Sequence, residues 1–493
     1  MTLSVLIIII TAIALFITML NGFVINKNRN WIISFLQAFS GVFFIISGFV
    51  KAVDPLGTTY KMEDYFHAFS KHLLNTPFKF LDSLWYFLAD EAVYFALFMI
   101  LLELVVGFFL LIGSQRRLTA WVFFILVFFF AILTGFTYLT GYVPAEATFF
   151  EFGKWGNWVE GQMEVSDCGC FGDFLKLEPF TSFVKDVFLF IPALVFLFFH
   201  KKEYQWWTPT IRTIVSSAFI LLMAAFAFYN TWVNIPIFDF RPFKEGVDVK
   251  TTKAIEEEAM SNIEVLGYHL TNSLSGEEVE LTMEEYLKDY KSYPKADWTF
   301  EQIKTEPTMK TTKISEFVIN GIDNEDMSQA MLDDESYNLW VISPIIEPTN
   351  SSVEEVIEVD TSYRIDSSLV RNIWVKDTIE DIQERKLEVE VYQWPADILA
   401  KYKEKVLPAA SVMHELGLNT YVAIGGASST AANDFGKDWP TWIHLGTADA
   451  ILLKTIIRSN PGFLLVKNGV IIRKWHFNSF DTNELRQIIK KTD

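Results

Sequence analysis

Two cysteines are the residues of this chain with the most evident chemistry. Cys168 and Cys170 are the only cysteines in the 493 residues, and Gly169 alone separates them. A disulfide between residues i and i+2 closes a small ring and strains the usual disulfide geometry. Strained disulfides are more oxidising and exchange readily with thiols. The spacing therefore predicts a redox pair, with a static link that shapes a loop as the alternative.

Two carboxylates flank this pair. Asp167 and Asp173 carry negative charge near the thiols, and we expect them to raise the pKa of both thiols. A higher pKa leaves less thiolate and slows attack by the reduced form. Glycine between the cysteines lowers the steric cost of the tight turn.

Glu103 is the third candidate residue, because it falls near the middle of a long apolar run. An ionisable group at membrane depth is a functional candidate by default. It could relay a proton, contact a quinone headgroup, or pair with Lys51 or a serine inside a helical bundle. A purely structural polar contact is the alternative. Gly107, one turn further on, would allow close packing of helices.

Long apolar runs must position these residues. A helix needs about 20 apolar residues to cross roughly 30 Å of hydrocarbon. Before residue 235 the sequence has six runs of this kind, which predict six transmembrane helices in a domain over residues 1–235. The runs are 3–25, 31–50, 90–112, 119–142, 184–200 and 212–234.

Basic residues in the short connections predict the orientation of the helices. Lysine and arginine between membrane helices favour the cytoplasmic side. If the six runs alternate in direction, the three basic connections share one side. The N-terminus, both cysteines and all residues after 235 then lie on the other side, which is the periplasm in a bacterium with two membranes. The basic residues are Lys27, Arg29, Arg116, Arg117, Lys201, Lys202 and Arg212.

The segment 60–89 is predicted to be an amphipathic helix on the membrane or over the bundle. Tyr65, Phe66 and Phe69 recur there at helical spacing among polar residues. His67 and His72 are five apart and share a helix face poorly, so we interpret them as surface histidines and expect no metal site.

Four stretches of the first 235 residues match sequence patterns of a known protein family. In these stretches the chain resembles the DoxX superfamily, and within it the branch of the methylamine-utilisation protein MauE. The Cys-Gly-Cys-Phe-Gly box is the most specific of them. The resemblance implies a helical membrane bundle linked to maturation of a disulfide-rich partner. The stretches are residues 47–55, the Glu103, Gly107 and Gly113 spacing, residues 167–172, and residues 183–186 with Lys185 and Asp186.

The second half is charged where the first is apolar. Most of the net charge of −19 lies after residue 235. Nucleic acid and anionic lipid headgroups would repel this half, so neither is expected as a partner. We divide it into a periplasmic linker with a small β-rich region over 236–335, including strand-like runs at 262–269 and 315–320, and an α/β domain over 336–493.

The pattern over 336–493 resembles a thioredoxin fold. Its last portion is a helix, an X-Pro step at Pro461, a hairpin turn at Asn468-Gly469 and a final helix. A thioredoxin-type enzyme carries C-x-x-C after the first strand, whereas residues 343–346 here read Ser-Pro-Ile-Ile. We therefore expect a thioredoxin-like domain without its dithiol, with an acidic insertion over about 345–390. The predicted strands are 338–342, 421–424, 463–467 and 470–476, and the predicted helices are 395–417, 427–436, 447–459 and 481–491.

Three functions are consistent with these features. The first is an inner-membrane thiol–disulfide maturation factor that acts on a periplasmic partner through Cys168 and Cys170. The second is a non-enzymatic assembly subunit of the cell envelope that uses its periplasmic domain for docking. The third is a quinone-linked oxidoreductase subunit, for which Glu103 is the only support. No cofactor is predicted, with a quinone as the alternative. The expected partners are the lipid bilayer and an envelope protein.

Overall fold

The computed structural model divides the chain into two compact units, Met1–Arg241 and Pro242–Asp493. The structure describes residues 2–28, 30–74, 76–165, 169–272, 275–295, 297–305, 308–323, 325–370 and 373–492. For residues 356–389 and Thr492 it describes the backbone but not the side chains.

Helices make up most of the first unit. Within the described ranges, six of them are long and apolar enough to cross a membrane, which confirms the six predicted runs and makes the chain a multi-pass membrane protein. In chain order the helices are α1 (Leu3–Met19), α2 (Trp31–Val53), α3 (Pro55–Leu73), α4 (Asp82–Asp90), α5 (Ala92–Ile112), α6 (Arg116–Thr140), α7 (Pro179–Phe199) and α8 (Pro209–Phe228). The spanning helices are α1, α2, α5, α6, α7 and α8, and some of them are extended by a further turn.

The fifth spanning helix begins earlier than the sequence predicted. We expected it to start at residue 184, directly before Lys185 and Asp186. Instead α7 begins at Pro179, because proline has no N–H to lose in the first turn of a helix. Lys185 and Asp186 consequently lie one to two turns inside the helix, and Asp186 is buried.

Two glycines bring α2 and α5 into close contact. A Cβ on Gly107 would lie 2.8 Å from the backbone nitrogen of Ile45 and 3.0 Å from the carbonyl oxygen of Gly41. A Cβ on Gly41 would lie 3.0 Å from the carbonyl oxygen of Gly107. Small residues let membrane helices approach this closely. The glycines therefore set the spacing between the helices that carry Lys51 and Glu103.

The segment after α2 forms two helices where we predicted one. α3 and α4 are separated by a short 3₁₀ helix, Pro77–Leu81. Tyr65 and Phe66 face inward from α3 and are buried. His67 is exposed, but His72 is only 2% exposed. The prediction that both histidines lie at the surface is therefore wrong for His72, because α3 packs on the bundle through the face that carries it.

The second unit contains both strands and helices. The elements are α9 (Val249–Ser261), β1 (Val265–Asn272), β2 (Glu278–Thr282), α10 (Met283–Asp289), β3 (Trp298–Lys304), β4 (Asn320–Gly321), α11 (Met327–Asp333), β5 (Tyr337–Ser343), β6 (Asn350–Val370), β7 (Ile373–Gln393), α12 (Ala396–Lys401), α13 (Leu407–Glu415), β8 (Asn419–Ile424), α14 (Ser429–Gly436), β9 (Ile443–Thr447), α15 (Ala450–Ile456), β10 (Gly462–Lys467), β11 (Val470–His476) and α16 (Thr482–Thr492). Its described residues form three sheets: a six-stranded sheet of order β11-β10-β5-β8-β9-β4, a three-stranded sheet of order β2-β1-β3, and the pair β6-β7.

The six-stranded sheet is built around β5, whose seven residues are all buried. It pairs in parallel with β8 and antiparallel with β10. A central strand covered on both faces is expected to be continuously apolar, and its Leu-Trp-Val-Ile run fits that rule. The bond between Asn460 and Pro461, just before β10, is cis. The four predicted strands of this domain are present as β5, β8, β10 and β11.

Three features of the second unit differ from the prediction. In the run 315–320, residues 315 and 316 end a turn, residues 317–319 are irregular, and only Asn320 reaches a strand. Phe317 and Ile319 are buried there without strand pairing. The strand β9 was not predicted. The acidic insertion is an antiparallel hairpin, in which β6 and β7 pair from Asn350 with Gln393 through to the far end.

Substitution of Gly107 by alanine should test the close contact of α2 and α5. The new Cβ would meet backbone atoms of α2, so we expect a loss of about 1–3 kcal/mol in stability. Thermal unfolding of the detergent-purified protein measures this loss. Gly153→Ala is the control, since a Cβ there meets nothing within 4 Å. Equal unfolding temperatures for both variants would contradict the packing argument.

Candidate functional site

A buried ion pair joins α2 and α5. Lys51 Nζ lies 2.7 Å from Glu103 Oε2, and the two side chains are 7% and 3% exposed. A charge surrounded by apolar helices is costly unless an opposite charge and hydrogen bonds compensate it. Of the roles considered for Glu103, pairing with Lys51 is the one the structure contains. The Lys51 ammonium also lies 4.6 Å from the ring centre of Phe130, which adds a favourable cation–π contact.

A second ion pair lies on α7. Lys185 Nζ contacts Asp186 Oδ1, and the two side chains are 10% and 2% exposed. Thr134 of α6 donates a hydrogen bond to the other oxygen of Asp186 at 3.0 Å. The Lys185 ammonium lies 5.6 Å from the ring centre of Phe43. This pair therefore links α7 to both α2 and α6.

Cys170 lies against both ion pairs. A cavity of about 30 Å³ is lined by Cys170 with Lys51, Glu103 and Lys61. A second cavity, of about 10 Å³, is lined by Cys170 with both ion pairs. The larger cavity has room for one or two water molecules, and the smaller is at the lower limit for one. We call this region the charged chamber and define it by Lys51, Lys61, Glu103, Cys170, Lys185 and Asp186.

The backbone around Cys170 is fixed by contacts with α2. Ser47 donates a hydrogen bond to the carbonyl oxygen of Cys170 at 2.9 Å. Phe171 is buried and meets Phe43 edge to face, with ring centres 5.6 Å apart. Gly169 has φ +58°, where side chains are disfavoured. The glycine between the cysteines is thus required by the backbone conformation.

Cys168, the other half of the predicted redox pair, lies outside the described residues, as does Asp167. For Cys170, burial raises the pKa of the thiol, and the positive charge of Lys185 opposes the rise. Asp173 lies 3.7 Å from Lys176. The expected direction of the shift is therefore present at Cys170, but its main cause is burial.

A further contact holds the loop that precedes the cysteines. Glu164 Oε1 lies 2.6 Å from Lys71 Nζ and 3.2 Å from His72 Nε2. The Nδ1 atom of His72 accepts a hydrogen bond from the backbone N–H of Phe149 at 3.0 Å. Hydrogen bonds from His72 and Lys71 lower the pKa of Glu164 to about 2. The carboxylate is therefore ionised at neutral pH and ties the loop to α3.

Sequence reasoning singled out Glu103 and Cys170, and the structure brings them to one chamber. It did not assign roles to Lys61, Asp186 or Glu164. Asp186 lies inside a spanning helix, so the rule that singled out Glu103 would also have found it. Lys61 and Glu164 lie outside the spans, where charged residues are ordinary and give no signal. Across the described ranges, no group of three His, Cys, Asp or Glu residues could hold a metal ion.

Comparison with protein-family models, with curated proteins and with solved structures finds no match for this chain. The case for a function therefore rests on the chemistry of the charged chamber and on the residues that carry the resemblance. The polar side chains of the charged chamber can exchange protons and balance charge. Cys170 is the only group of the chamber that is suited to redox chemistry.

Removal of one partner from the Lys51–Glu103 pair should destabilise the bundle. Lys51→Met leaves Glu103 buried without its counter-charge, at an expected cost of about 3–5 kcal/mol. The double variant Lys51→Met/Glu103→Leu leaves no unpaired charge and should lose less than the sum of the single variants. Unfolding temperatures of the purified variants measure this coupling.

The exposed pair Lys154 and Glu151, also 2.7 Å apart, is the matched control. Lys154→Met should have little effect, because solvent already compensates both charges. Strict additivity at Lys51 and Glu103 would show that the two charges do not depend on each other.

Glu164→Gln should weaken the attachment of the cysteine loop in a pH-dependent way. The folded-state pKa lies below the ordinary value of 4.5. The stabilisation is therefore fully present above pH 4.5 and is lost as the pH falls toward 2. We expect wild type to unfold at a higher temperature than the variant at pH 6, with the difference shrinking by pH 3. Glu146→Gln, at an exposed position of the same loop, should show no such trend, and a pH-independent difference would contradict the assignment.

Proposed function

We propose that this protein is an inner-membrane thiol–disulfide exchange factor that matures a partner on the periplasmic side. Cys168 and Cys170 form the exchanging pair, and the second unit binds the partner. The observation that carries the proposal is the position of Cys170 in the charged chamber beside Glu103 and Lys51. The resemblance to the MauE-like branch supports it, since that branch is linked to maturation of a disulfide-rich protein.

Thiol–disulfide exchange needs groups that handle protons and charge. A thiol must lose its proton to attack, and the leaving sulfur carries negative charge until it is protonated. Lys51 and Glu103 place a donor and an acceptor 2.7 Å apart beside Cys170. The small ring of a Cys168–Cys170 disulfide would favour its opening by a partner thiol.

The second unit suits binding more than redox chemistry. Neither cysteine of the chain belongs to it. Ser343 ends β5, where a thioredoxin-type enzyme would place its dithiol, and its hydroxyl lies 2.7 Å from the hydroxyl of Tyr402. We interpret the domain as thioredoxin-like on the basis of its strand order, with a docking role. The β6–β7 hairpin leaves both of its outer backbone edges without a strand partner among the described residues, which suits a binding arm.

A second candidate, a quinone-linked oxidoreductase subunit, is favoured by one further cavity. It measures about 640 Å³, is almost entirely apolar, and is lined by aromatic residues that include Phe66, Trp85 and Phe136. Phe129 and Leu133 line both this cavity and the charged chamber. A quinone there would supply the oxidant that regenerates the disulfide, taking two electrons and two protons to become the quinol.

The double variant Cys168→Ser/Cys170→Ser tests the proposal. The probe is a reduced peptide that carries two thiols, mixed with oxidised, detergent-purified protein. Wild type should convert about one peptide to its disulfide per protein molecule without added oxidant, because one pair accepts two electrons. The double variant should convert none. Mass spectrometry of the peptide measures the product.

Lys176→Met is the matched control, because Lys176 lies in the same loop, is largely exposed and does not line the chamber. It should behave as wild type. Labelling of thiols in intact cells, with and without reductant, is a second measurement. A cysteine pair that changes between reduced and oxidised states supports exchange. A pair that stays permanently as a disulfide supports the assembly-subunit hypothesis. Undiminished peptide oxidation by the double-serine variant would reject the redox role.

A further inference from the structure

The connection between α7 and α8 packs into one end of the helical bundle. Glu203 is 1% exposed and Tyr204 is fully buried. The side chain of Gln37 in α2 accepts a hydrogen bond from the backbone N–H of Tyr204 at 3.0 Å and donates one to its carbonyl oxygen at 3.2 Å. The backbone N–H of Trp206 donates to the carbonyl oxygen of Ile112 at 3.0 Å. We call residues 203–206 the docked connection.

Gly113, which directly follows α5, allows the close approach of this connection. Its φ is +68°, and a Cβ there would lie 2.0 Å from the carbonyl oxygen of Tyr204. The side chain of Gln205 donates a hydrogen bond to the carbonyl oxygen of Gly113 at 2.9 Å. Contacts from the backbone and from side chains therefore hold the docked connection where Glu203 has little access to water.

The carboxyl group of Glu203 is buried without full compensation for a negative charge. Its Oε1 atom has no hydrogen-bond partner among the described residues. Transfer of an ionised carboxylate from water to such surroundings is costly, whereas transfer of the neutral acid costs much less. Burial therefore raises the pKa of Glu203 to about 8, and the positive charge of Arg116 opposes the rise. At neutral pH most Glu203 side chains carry a proton.

The elements packed against the docked connection contribute mainly neutral groups. Arg116 of α6 is the charged exception, and its Nη1 atom donates to the backbone carbonyl oxygen of Glu203 at 3.0 Å. From α2 comes the amide of Gln37, and the end of α5 contributes the two backbone carbonyl groups described above. Just after α1, the Oδ1 atom of Asn21 accepts a hydrogen bond from the indole N–H of Trp206 at 2.5 Å.

The neighbours of Glu203 in the sequence include further titratable groups. Lys201 and Lys202 are exposed and His200 is half-buried. Burial and the charge of Glu203 raise the pKa of Tyr204. Tyr204 therefore stays neutral over the pH range in which Glu203 ionises.

We propose that Glu203 is a proton-binding site that controls the docking of residues 203–206 against the bundle. With the proton bound, the neutral acid stays buried and the connection stays docked. Loss of the proton leaves a buried anion and favours release of the connection into water. Since α7 spans the membrane between this site and the cysteine loop, the site responds to pH on the opposite side from Cys170. The proposal does not depend on thiol–disulfide exchange.

The direction of the pH effect follows from the two environments of Glu203. Its pKa is about 8 when docked, whereas the ordinary value of 4.5 applies when the side chain is in water. Docking is therefore most stable below pH 4.5, loses stability as the pH rises toward 8, and changes little above that. Alkaline conditions should release the connection.

Hydrogen exchange measured by mass spectrometry tests the proposal on the full-length protein in detergent. Wild type is compared with Glu203→Gln, whose amide is neutral at every pH, and the readout is the peptide that contains the amides of Tyr204 and Trp206. The ratio of exchange rates, wild type over variant, should rise at least about tenfold between pH 6 and pH 9. Comparison at the same pH cancels the chemical pH dependence of exchange and the titration of His200.

Glu178→Gln is the matched control, because Glu178 is an exposed carboxyl directly before α7. Its ratio to wild type should stay constant over the same pH range. Glu203→Leu is a second neutral variant, and it should lose the pH dependence as Glu203→Gln does. A constant ratio of wild type to both Glu203 variants would overturn the proposal.

Infrared spectroscopy provides a measurement that needs no docking contact to change. Wild type at pH 6 should show the band of a protonated carboxyl group that disappears by pH 9, and Glu203→Gln should lack this change. If the variant does not fold, the wild-type spectra still decide the matter, because the absence of a protonated carboxyl band at pH 6 would reject a proton on Glu203.

Discussion

Charged groups inside an apolar helical bundle must find partners, and this constraint organises the first unit. Lys51 and Glu103 lie on different helices, and each would be costly to bury alone. Their 2.7 Å contact requires α2 and α5 to approach closely, which the glycines Gly41 and Gly107 permit. The packing of small residues and the pairing of charges therefore depend on each other.

The same constraint extends to the cysteine loop. Lys185 and Asp186 form a second buried pair, and Cys170 completes the chamber between the two pairs. Outside the chamber, Glu164 ties the loop to α3 through Lys71 and His72. The bundle therefore contains a small polar space in contact with a thiol.

The second unit shows how much a strand pattern predicts. Continuous apolar runs correctly predicted β5, β8 and β10. Such runs are expected in central strands, because both faces of these strands are covered. The run 315–320 was also predicted to be strand-like but is mostly irregular. Its Phe317 is buried by stacking on Trp340, with ring centres 5.2 Å apart. Periodicity thus predicts burial more reliably than it predicts the hydrogen bonding of the backbone.

The sequence by itself determined the six spanning helices, the isolated cysteine pair and the presence of Glu103 inside one of the spans. Those features are local: hydrophobic length, residue type and spacing are enough to define them. Only the tertiary structure decided that Glu103 pairs with Lys51 across 52 residues of sequence, that His72 is buried, and that Cys170 shares their surroundings with Asp186. Contacts of this kind depend on which helix faces meet, and a run of uniformly apolar residues carries little information about which face turns inward.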